Sequence, residues 1–329
     1  MNELAIHFPN LKELLNLDDS LRFIDLHSGT PQLITALFAQ NPNIYDYSVN
    51  LSSAQVIQTI QEQGHDFSRL YFGQEFCQNL IPTPEDVEQA YYFSRQLEWD
   101  FTLVTNACNT ETGTDANRQN LRRLHDLQPD AEVVVNDWAV MHLLNHEFPD
   151  FRPVVGRLLN KQVRLNLFNK ATSKLPIFTS GIENSPENIS KAQIRAYADV
   201  SLSNPDYLDF LKSLGVTGVD FDLTPQGLVR PADGWGLNLG HYFPWTVMAL
   251  ARNCPTAGVL QHERTFIVTD RNCGKPCRKF NCSPAFNMYD FPLQQRGPAL
   301  FVSNEDLIET CLNQENGFER LIYQPMIPL

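Results

Sequence analysis

Short apolar runs recur at nearly regular intervals along this chain of 329 residues, and they restrict its fold more than any other feature. Most of them are apolar on both faces, which is typical of strands that are covered on both sides of a parallel sheet. Helical patterns separate several of the runs, and this alternation predicts an α/β fold. When a parallel sheet closes in a chain of this length, it more commonly forms a TIM-barrel-like parallel β/α barrel. The predicted strands are residues 22–26, 45–49, 69–73, 101–107, 131–137, 151–159, 217–223 and 264–268.

Two of the intervening helices carry clear start signals. Thr83 precedes Pro84 and two acidic residues, so we expect a helix from Pro84 to Leu97 with Thr83 as its cap. Asn204 and the proline after it repeat this pattern, and Gly215 is expected to end the second helix.

The barrel is expected to occupy residues 45–329, with residues 1–44 as an N-terminal extension packed on it. Residues 161–198 break the alternation with a polar stretch that contains Ser, Asn and Lys. This stretch is interpreted as an insertion that serves as a lid or as a surface for a partner.

The charge of the chain and its lack of long apolar runs argue against a nucleic-acid partner and against a membrane span. The chain has 38 acidic and 25 basic residues and a net charge of −13, which removes the attraction on which most nucleic-acid binding depends. Its first twenty residues lack the apolar core of a secretory signal, and no later apolar run is long enough to cross a bilayer. We therefore expect a cytoplasmic protein that has no membrane span and no nucleic-acid substrate.

Seven cysteines in such a chain favour metal binding over a disulfide framework, because reducing compartments disfavour disulfides and the odd count leaves one thiol over. Three of them stand in RNCGKPCRKFNC, residues 271–282. Cys77 follows a predicted strand, and residues just past the strand ends of a barrel gather at one face, so distant thiols can meet there. Cys108 and Cys311 carry no further signal and are interpreted as small buried hydrophobic residues.

The group formed by Cys273, Cys277 and Cys282 has two metal interpretations. Structural zinc sites usually contain pairs of ligands separated by two residues, whereas the spacings here are three and four, so zinc stays the alternative. Four cationic side chains and no acidic one lie in the same segment, which suits the net negative charge of a thiolate-ligated 4Fe-4S cluster. A solvated loop or a docking patch for an acidic partner would also account for this charge.

Several motifs together resemble the peptidase U-32 family, and most of all its ubiquinone-biosynthesis branch, which contains UbiU-like and UbiV-like members. The resemblance extends over about residues 65–285 and is closer to the UbiV-like members. The motifs that carry it are YFGQEFC (71–77), DFTLVTNA (100–107), VVVNDWAVMHLL (133–144), SNPDYLDFLKSLGVTGVDFDL (203–223), ARNC (251–254) and CGKPCRK (273–279).

The resemblance implies a TIM-barrel-like fold and a 4Fe-4S cluster held by Cys77, Cys254, Cys273 and Cys277. Cys282 is an alternative to Cys77, because it lies close to the other ligands in sequence. The resemblance also implies a subunit of an oxygen-independent hydroxylation system that acts on a small aromatic molecule beside a UbiU-like U-32 partner subunit, as a heterodimer. The alternatives are a non-catalytic scaffold subunit that carries the cluster and a factor that hydroxylates RNA bases.

Proteolysis is not expected, because the sequence contains neither a GxSxG elbow nor an HExxH helix. Candidate catalytic residues are Glu75, Asp137 and Asp222, which stand at predicted strand ends, where a barrel places its catalytic groups. His241 in the segment GHYFP completes this set. Turn or helix-cap roles for the three acids, and a core role for His241, are the alternative interpretations.

Overall fold

Eight parallel strands close into a barrel, which confirms the predicted α/β barrel fold. The computed structural model describes residues 3–21, 44–164, 191–224, 227–258, 267–268, 273–278, 293–304 and 319–329. The barrel strands are β1 (Glu3–Phe8), β2 (Phe67–Phe72), β3 (Asp100–Val104), β4 (Glu132–Val135), β5 (Arg152–Val155), β6 (Gly218–Asp222), β7 (Asn238–Phe243) and, after the strands β8–β12 that lie outside the barrel, β13 (Arg320–Tyr323). They follow one another in chain order around the barrel, and β13 closes it between β7 and β1.

Helices lie between most of the barrel strands. They are α1 (Leu11–Leu21), α2 (Ile44–Glu62), α3 (Pro84–Gln96), α4 (Glu111–Leu127), α5 (Trp138–Glu147), α6 (Lys191–Ala198), α7 (Pro205–Ser213) and the single turn α8 (Pro255–Gly258). No helix in the described ranges is both long enough and apolar enough to span a bilayer.

The two helix starts read from the sequence are confirmed. The Thr83 hydroxyl accepts a hydrogen bond from the Asp86 backbone N–H at 3.2 Å, and the Asp86 carboxylate accepts one from the Thr83 N–H at 3.0 Å, which forms a capping box. At α7, the Asn204 side chain accepts a hydrogen bond from the Asp206 N–H at 2.9 Å. Gly215 follows this helix with a φ of +74°, a left-handed conformation that favours glycine.

Within the described ranges, five further strands lie between β7 and β13 in the chain and outside the barrel. The strands β8 (Trp245–Leu250), β12 (Ala299–Ser303) and β11 (Gln294–Arg296) form a three-stranded antiparallel sheet. The strands β9 (Asn253–Cys254) and β10 (Ile267–Val268) form a separate antiparallel pair.

Two predicted strands do not have the predicted role, and a third, residues 22–26, lies outside the described residues. Residues 45–49 belong to α2, in which Val49, Ser53 and Ile57 are buried at the spacing of one helical turn. Of residues 264–268 only Ile267–Val268 is described, and it pairs with β9 instead of joining the barrel.

The predicted boundary at residue 45 is also wrong, because Glu3–Phe8 is the first strand of the barrel, paired with β13 and β2. Along this strand Leu4 and Ile6 face the surrounding helices, whereas Ala5 faces the barrel interior. The interior side also carries Glu3 and His7, so the segment lacks the doubly apolar character by which the other strands were recognised.

The barrel interior contains an unusual number of polar side chains. Near the N-terminal ends of the strands, Arg320 donates hydrogen bonds to the Glu132 carboxylate and to the Tyr71 hydroxyl, both at 2.6 Å. Arg69 donates to Glu3 at 2.6 Å and to Asp100 at 2.8 Å. Above this layer lies an inward-facing group formed by Ala5, Tyr71, Val104, Val134, Val154, Tyr242 and Ile322. The N-terminal end of a barrel usually serves stability, so the opposite end is where a functional site is expected.

Candidate metal centre at the C-terminal ends of the strands

The turn after β2 brings Glu75 and Cys77 to the C-terminal rim of the barrel. Gly73 starts this turn with a φ of +134°, and a Cβ atom there would overlap the Val104 carbonyl oxygen. Only glycine lets the backbone pass this close to β3. The Gly73 carbonyl also accepts a hydrogen bond from His7 Nε2 at 2.9 Å, which ties the turn to β1.

Arg157 lies just past the end of β5 and joins two of the predicted catalytic carboxylates. Its Nε and Nη2 atoms donate to the two carboxylate oxygens of Glu75 at 3.0 and 2.7 Å, and its Nη1 donates to Asp222 at 2.9 Å. Nη1 also donates to the Trp245 carbonyl at 2.9 Å. The guanidinium lies over the Tyr242 ring at 3.9 Å, and the side chain is fully buried. We call this group the arginine centre.

Electrostatics keep the Arg157 guanidinium charged. Burial alone would lower the pKa of Arg157, but Glu75 and Asp222 raise it above its ordinary value. Burial raises the pKa of Glu75, and Arg157 offsets part of this rise. As predicted from the sequence, Glu75 and Asp222 lie at the C-terminal ends of barrel strands. Both carboxylates are bound to Arg157, so their immediate role is to hold together the ends of β2, β5 and β6.

Asp137 and His241 have positions that match their alternative interpretations. Asp137 accepts hydrogen bonds from the Ala139 N–H at 2.8 Å and from the Cys108 N–H at 3.1 Å, so it caps α5. The His241 ring packs against Phe221 with a centroid distance of 5.8 Å, on the side of β7 that faces away from the barrel interior. Burial lowers the pKa of His241 to about 3, so the ring is neutral near pH 7.

Sequence reasoning missed the polar residues that line the upper barrel interior. His7 Nδ1 accepts a hydrogen bond from Gln324 Nε2 at 3.1 Å while Nε2 donates to the Gly73 carbonyl, so the ring is a fixed neutral tautomer. Burial, together with the charge of Arg157, lowers the pKa of His7 to about 3. Arg157 had a visible signal, since it directly follows the apolar run of β5 in the segment VVGRLL.

Four cysteines from separate parts of the chain lie near one another beside this rim. Cys77 follows β2, Cys254 ends β9, and Cys273 and Cys277 flank a tight turn. In that turn Gly274 and Lys275 both have left-handed backbones, with φ of +70° and +54°, which reverses the chain between the two thiols. We call these four side chains the thiol site; they are the four residues that the family resemblance implies as ligands.

The thiols of this site influence one another electrostatically. Burial raises the pKa of Cys77 to about 12, and Cys277, Cys254 and Cys273 each add to the rise. Burial likewise raises the pKa of Cys254 to about 11, with contributions from Cys277 and Cys273. A bound cation would counteract both the burial and the mutual repulsion of the thiolates, because metal ligation requires deprotonated sulfur.

Hydrogen-bond donors face two of the sulfurs. The Ala257 N–H donates to Cys254 Sγ at 3.3 Å, and Asn79 Nδ2 donates to Cys273 Sγ at 3.9 Å. Such bonds stabilise thiolates and tune the potential of iron–sulfur clusters. Cys77 and Cys277 belong to a buried apolar group that includes Phe76, Trp245 and Phe301.

A single metal ion requires its cysteine sulfurs to lie close together. Tetrahedral zinc would draw its sulfurs to about 3.8 Å from one another, given Zn–S bonds of about 2.3 Å. Within the described ranges, no group of three or more His, Cys, Asp or Glu side chains is arranged to hold a metal ion. The four thiols are therefore not arranged around a single metal ion in this structure.

Cys282 and Cys311 lie outside the described residues, so the choice between Cys77 and Cys282 as fourth ligand stays a prediction. Cys108 is half-buried and accepts a hydrogen bond from Asn117 Nδ2 at 3.0 Å, and burial raises its pKa to about 11, with Asp137 adding to the rise. Its immediate contacts are therefore with α4 and α5, not with the thiol site.

Comparisons of the chain with protein-family models, with curated proteins and with solved structures gave no match.

Proposed function

We propose that this chain is an iron–sulfur protein of the U-32 type, which binds a 4Fe-4S cluster through Cys77, Cys254, Cys273 and Cys277. The observation that carries the proposal is that these four thiols lie near one another at the C-terminal end of a β/α barrel, where barrel enzymes place their chemistry. The N–H groups directed at the sulfurs support it further. A bound cluster would supply one-electron transfer at this face.

The finer proposal concerns the reaction. The motif resemblance supports a subunit of an oxygen-independent hydroxylation system that acts on a small aromatic molecule together with a UbiU-like partner. The net charge of −13 disfavours the alternative in which RNA bases are hydroxylated. Measuring tRNA affinity across a salt series would test that alternative.

A second candidate is a subunit that carries the cluster while its partner performs the chemistry. One observation favours it: Arg157 pairs with Glu75 and Asp222, and Arg164 pairs with Asp222 as well, which leaves neither carboxylate free as a general base. Assaying the reconstituted chain alone and again with its partner would separate the two candidates, since only a catalytic subunit retains turnover by itself.

We expect protein purified without oxygen to be brown and to contain about four iron and four sulfide per chain, because a cubane held by four cysteines has this composition. The measurement is metal and sulfide analysis together with the visible absorption spectrum. One zinc per chain and a colourless protein would contradict the proposal.

Single replacement of Cys77, Cys254, Cys273 or Cys277 by alanine is expected to remove most of the bound iron, because an incomplete thiolate set exposes the cluster to solvent and oxygen. Cys108→Ala is the matched control and should retain the iron, since its sulfur contacts Asn117 and not the thiol site. Should Cys282→Ser lose the iron while Cys77→Ser keeps it, the assignment of the fourth ligand is wrong.

A further inference from the structure

A cavity of about 610 Å³ lies beside the thiol site, which is within the usual size range of small-molecule pockets. One wall is the first part of α1, and the opposite side contains the ends of the Cys277 loop and of β11. Its apolar lining comes from Pro9, Leu11, Leu15, Leu80 and Leu329, and its polar lining from Asn10, Lys12, Glu13, Asn16, Gln74, Asp86, Arg278 and Arg296.

Arg296 and Glu13 are the two lining residues with a buried polar atom that has no hydrogen-bond partner in the described ranges. Arg296 belongs to β11, and the residue is only 8% exposed. Its Nε atom is buried and has no hydrogen-bond partner within the described ranges. A buried guanidinium N–H without an acceptor is costly, so an anionic ligand that supplies one would be favoured.

The lining of the cavity contains three cationic side chains, Lys12, Arg278 and Arg296, and two acidic ones, Glu13 and Asp86. Arg278 and Lys12 line the same space and are exposed, so they can reach a ligand from the solvent side. Asp86 is already bound in the capping box of α3. Burial raises the pKa of Glu13, against the opposing effect of Arg296, so three cationic side chains face this one further carboxyl group.

The N-terminal turn of α1 also favours an anion in this cavity. Asn10 caps this helix, with its side-chain oxygen accepting from the Glu13 N–H at 3.1 Å. Helix N-termini carry a partial positive charge and favour anions. The buried arginine and the helix end therefore converge on one space, and the leucines of the lining provide an apolar surface beside them.

We propose that this cavity, the carboxylate pocket, binds a small organic carboxylate. The carboxylate group accepts hydrogen bonds from Arg296 and Arg278, and the apolar part of the ligand lies against Leu80 and Leu329. The proposal does not depend on the bound cluster, because none of the four thiols lines the cavity.

The test is calorimetric titration of the full chain with sodium benzoate, with benzamide as the uncharged ligand of the same shape and inorganic phosphate as an anion without an apolar part. We expect saturable binding of benzoate and at least about tenfold weaker binding of benzamide, the effect of losing charge-assisted hydrogen bonds. Equal affinities for benzoate and benzamide, or binding of phosphate alone, would overturn the proposal.

Variants assign the binding to the pocket. Arg296→Gln and Arg278→Gln should each weaken benzoate binding about tenfold or more, whereas Lys275→Gln, in the same loop but outside the lining, should not. Arg278 is exposed, so its variant keeps the test valid if Arg296→Gln does not fold. Unchanged benzoate affinity in Arg278→Gln and in any folded Arg296→Gln protein would show that the ligand binds elsewhere. Repeating the titrations on protein with and without iron separates failure of this proposal from failure of the iron–sulfur proposal.

Discussion

Replacing Arg157 by methionine is expected to destabilise the protein by about 3–5 kcal/mol, the usual cost of removing one partner from a buried ion pair. The side chains of Arg157, Glu75 and Asp222 are all inaccessible to solvent. Methionine would fill much of the space, but Glu75 would lose its arginine and the Trp245 carbonyl would lose its donor, while Asp222 would keep only Arg164 and the Val247 N–H. Four segments of the rim would thereby lose their common contact.

The measurement is the free energy of unfolding from urea denaturation. Arg123→Met is the matched control, because Arg123 also pairs with a glutamate, Glu88, but both side chains are partly exposed. Exposed pairs are worth about 1 kcal/mol or less, so the control should change little. Equal losses in the two variants would contradict the role assigned to the arginine centre.

The loss in Arg157→Met should also depend on pH. Burial already raises the pKa of Glu75, and removing Arg157 takes away the main opposing charge. The folded variant then binds a proton more readily than the unfolded chain does, so its stability rises relative to the wild type as the pH falls from 7 toward 5. A deficit that grows over this range would contradict the argument.

Gly73→Ala is expected to cost about 3 kcal/mol or more, because two penalties combine. A φ of +134° is unfavourable for alanine, and its Cβ would overlap the Val104 carbonyl oxygen, a backbone atom that cannot rotate away. Relief would require β2 and β3 to separate at the rim, which would also displace Cys77. We therefore expect reduced iron content together with lower thermal stability.

Gly215→Ala separates the two penalties. Gly215 also has a positive φ, +74°, but a Cβ atom there would meet nothing within 4 Å. Only the backbone cost of about 1 kcal/mol should remain in this variant. If both variants lost the same stability, close contact with β3 would not be the reason for glycine at residue 73.

The barrel could be predicted because strands such as β4 are apolar on both faces, with Val133 facing the helices and Val134 facing the interior. The first and last strands escaped prediction for the opposite reason. Their interior faces carry Glu3 and Arg320, which bind each other across the barrel seam. A charged residue inside a strand normally indicates exposure, and only the closed barrel supplies its partner.

The candidate site could also be predicted only in part. The motif resemblance implies the four thiols as ligands, whereas the residues alone show only that Cys273 and Cys277 stand close together and that Cys77 follows a strand. The role of Arg157 could not be predicted, because its partners Glu75 and Asp222 are distant in sequence and its own segment contains no acid. Ionic contacts between strand ends depend on barrel register, which local patterns do not encode.

The seam between β1 and β13 determines when the fold can be completed. Glu3 lies opposite Arg320 in the register of these strands, so the contact joins residues near opposite ends of the sequence. During synthesis the sheet stays open along β1 and β7 until β13 has left the ribosome, and unpaired strand edges attract other chains. Contacts of such large sequence separation also slow folding, so barrel closure is expected to be a late step and the one most exposed to aggregation.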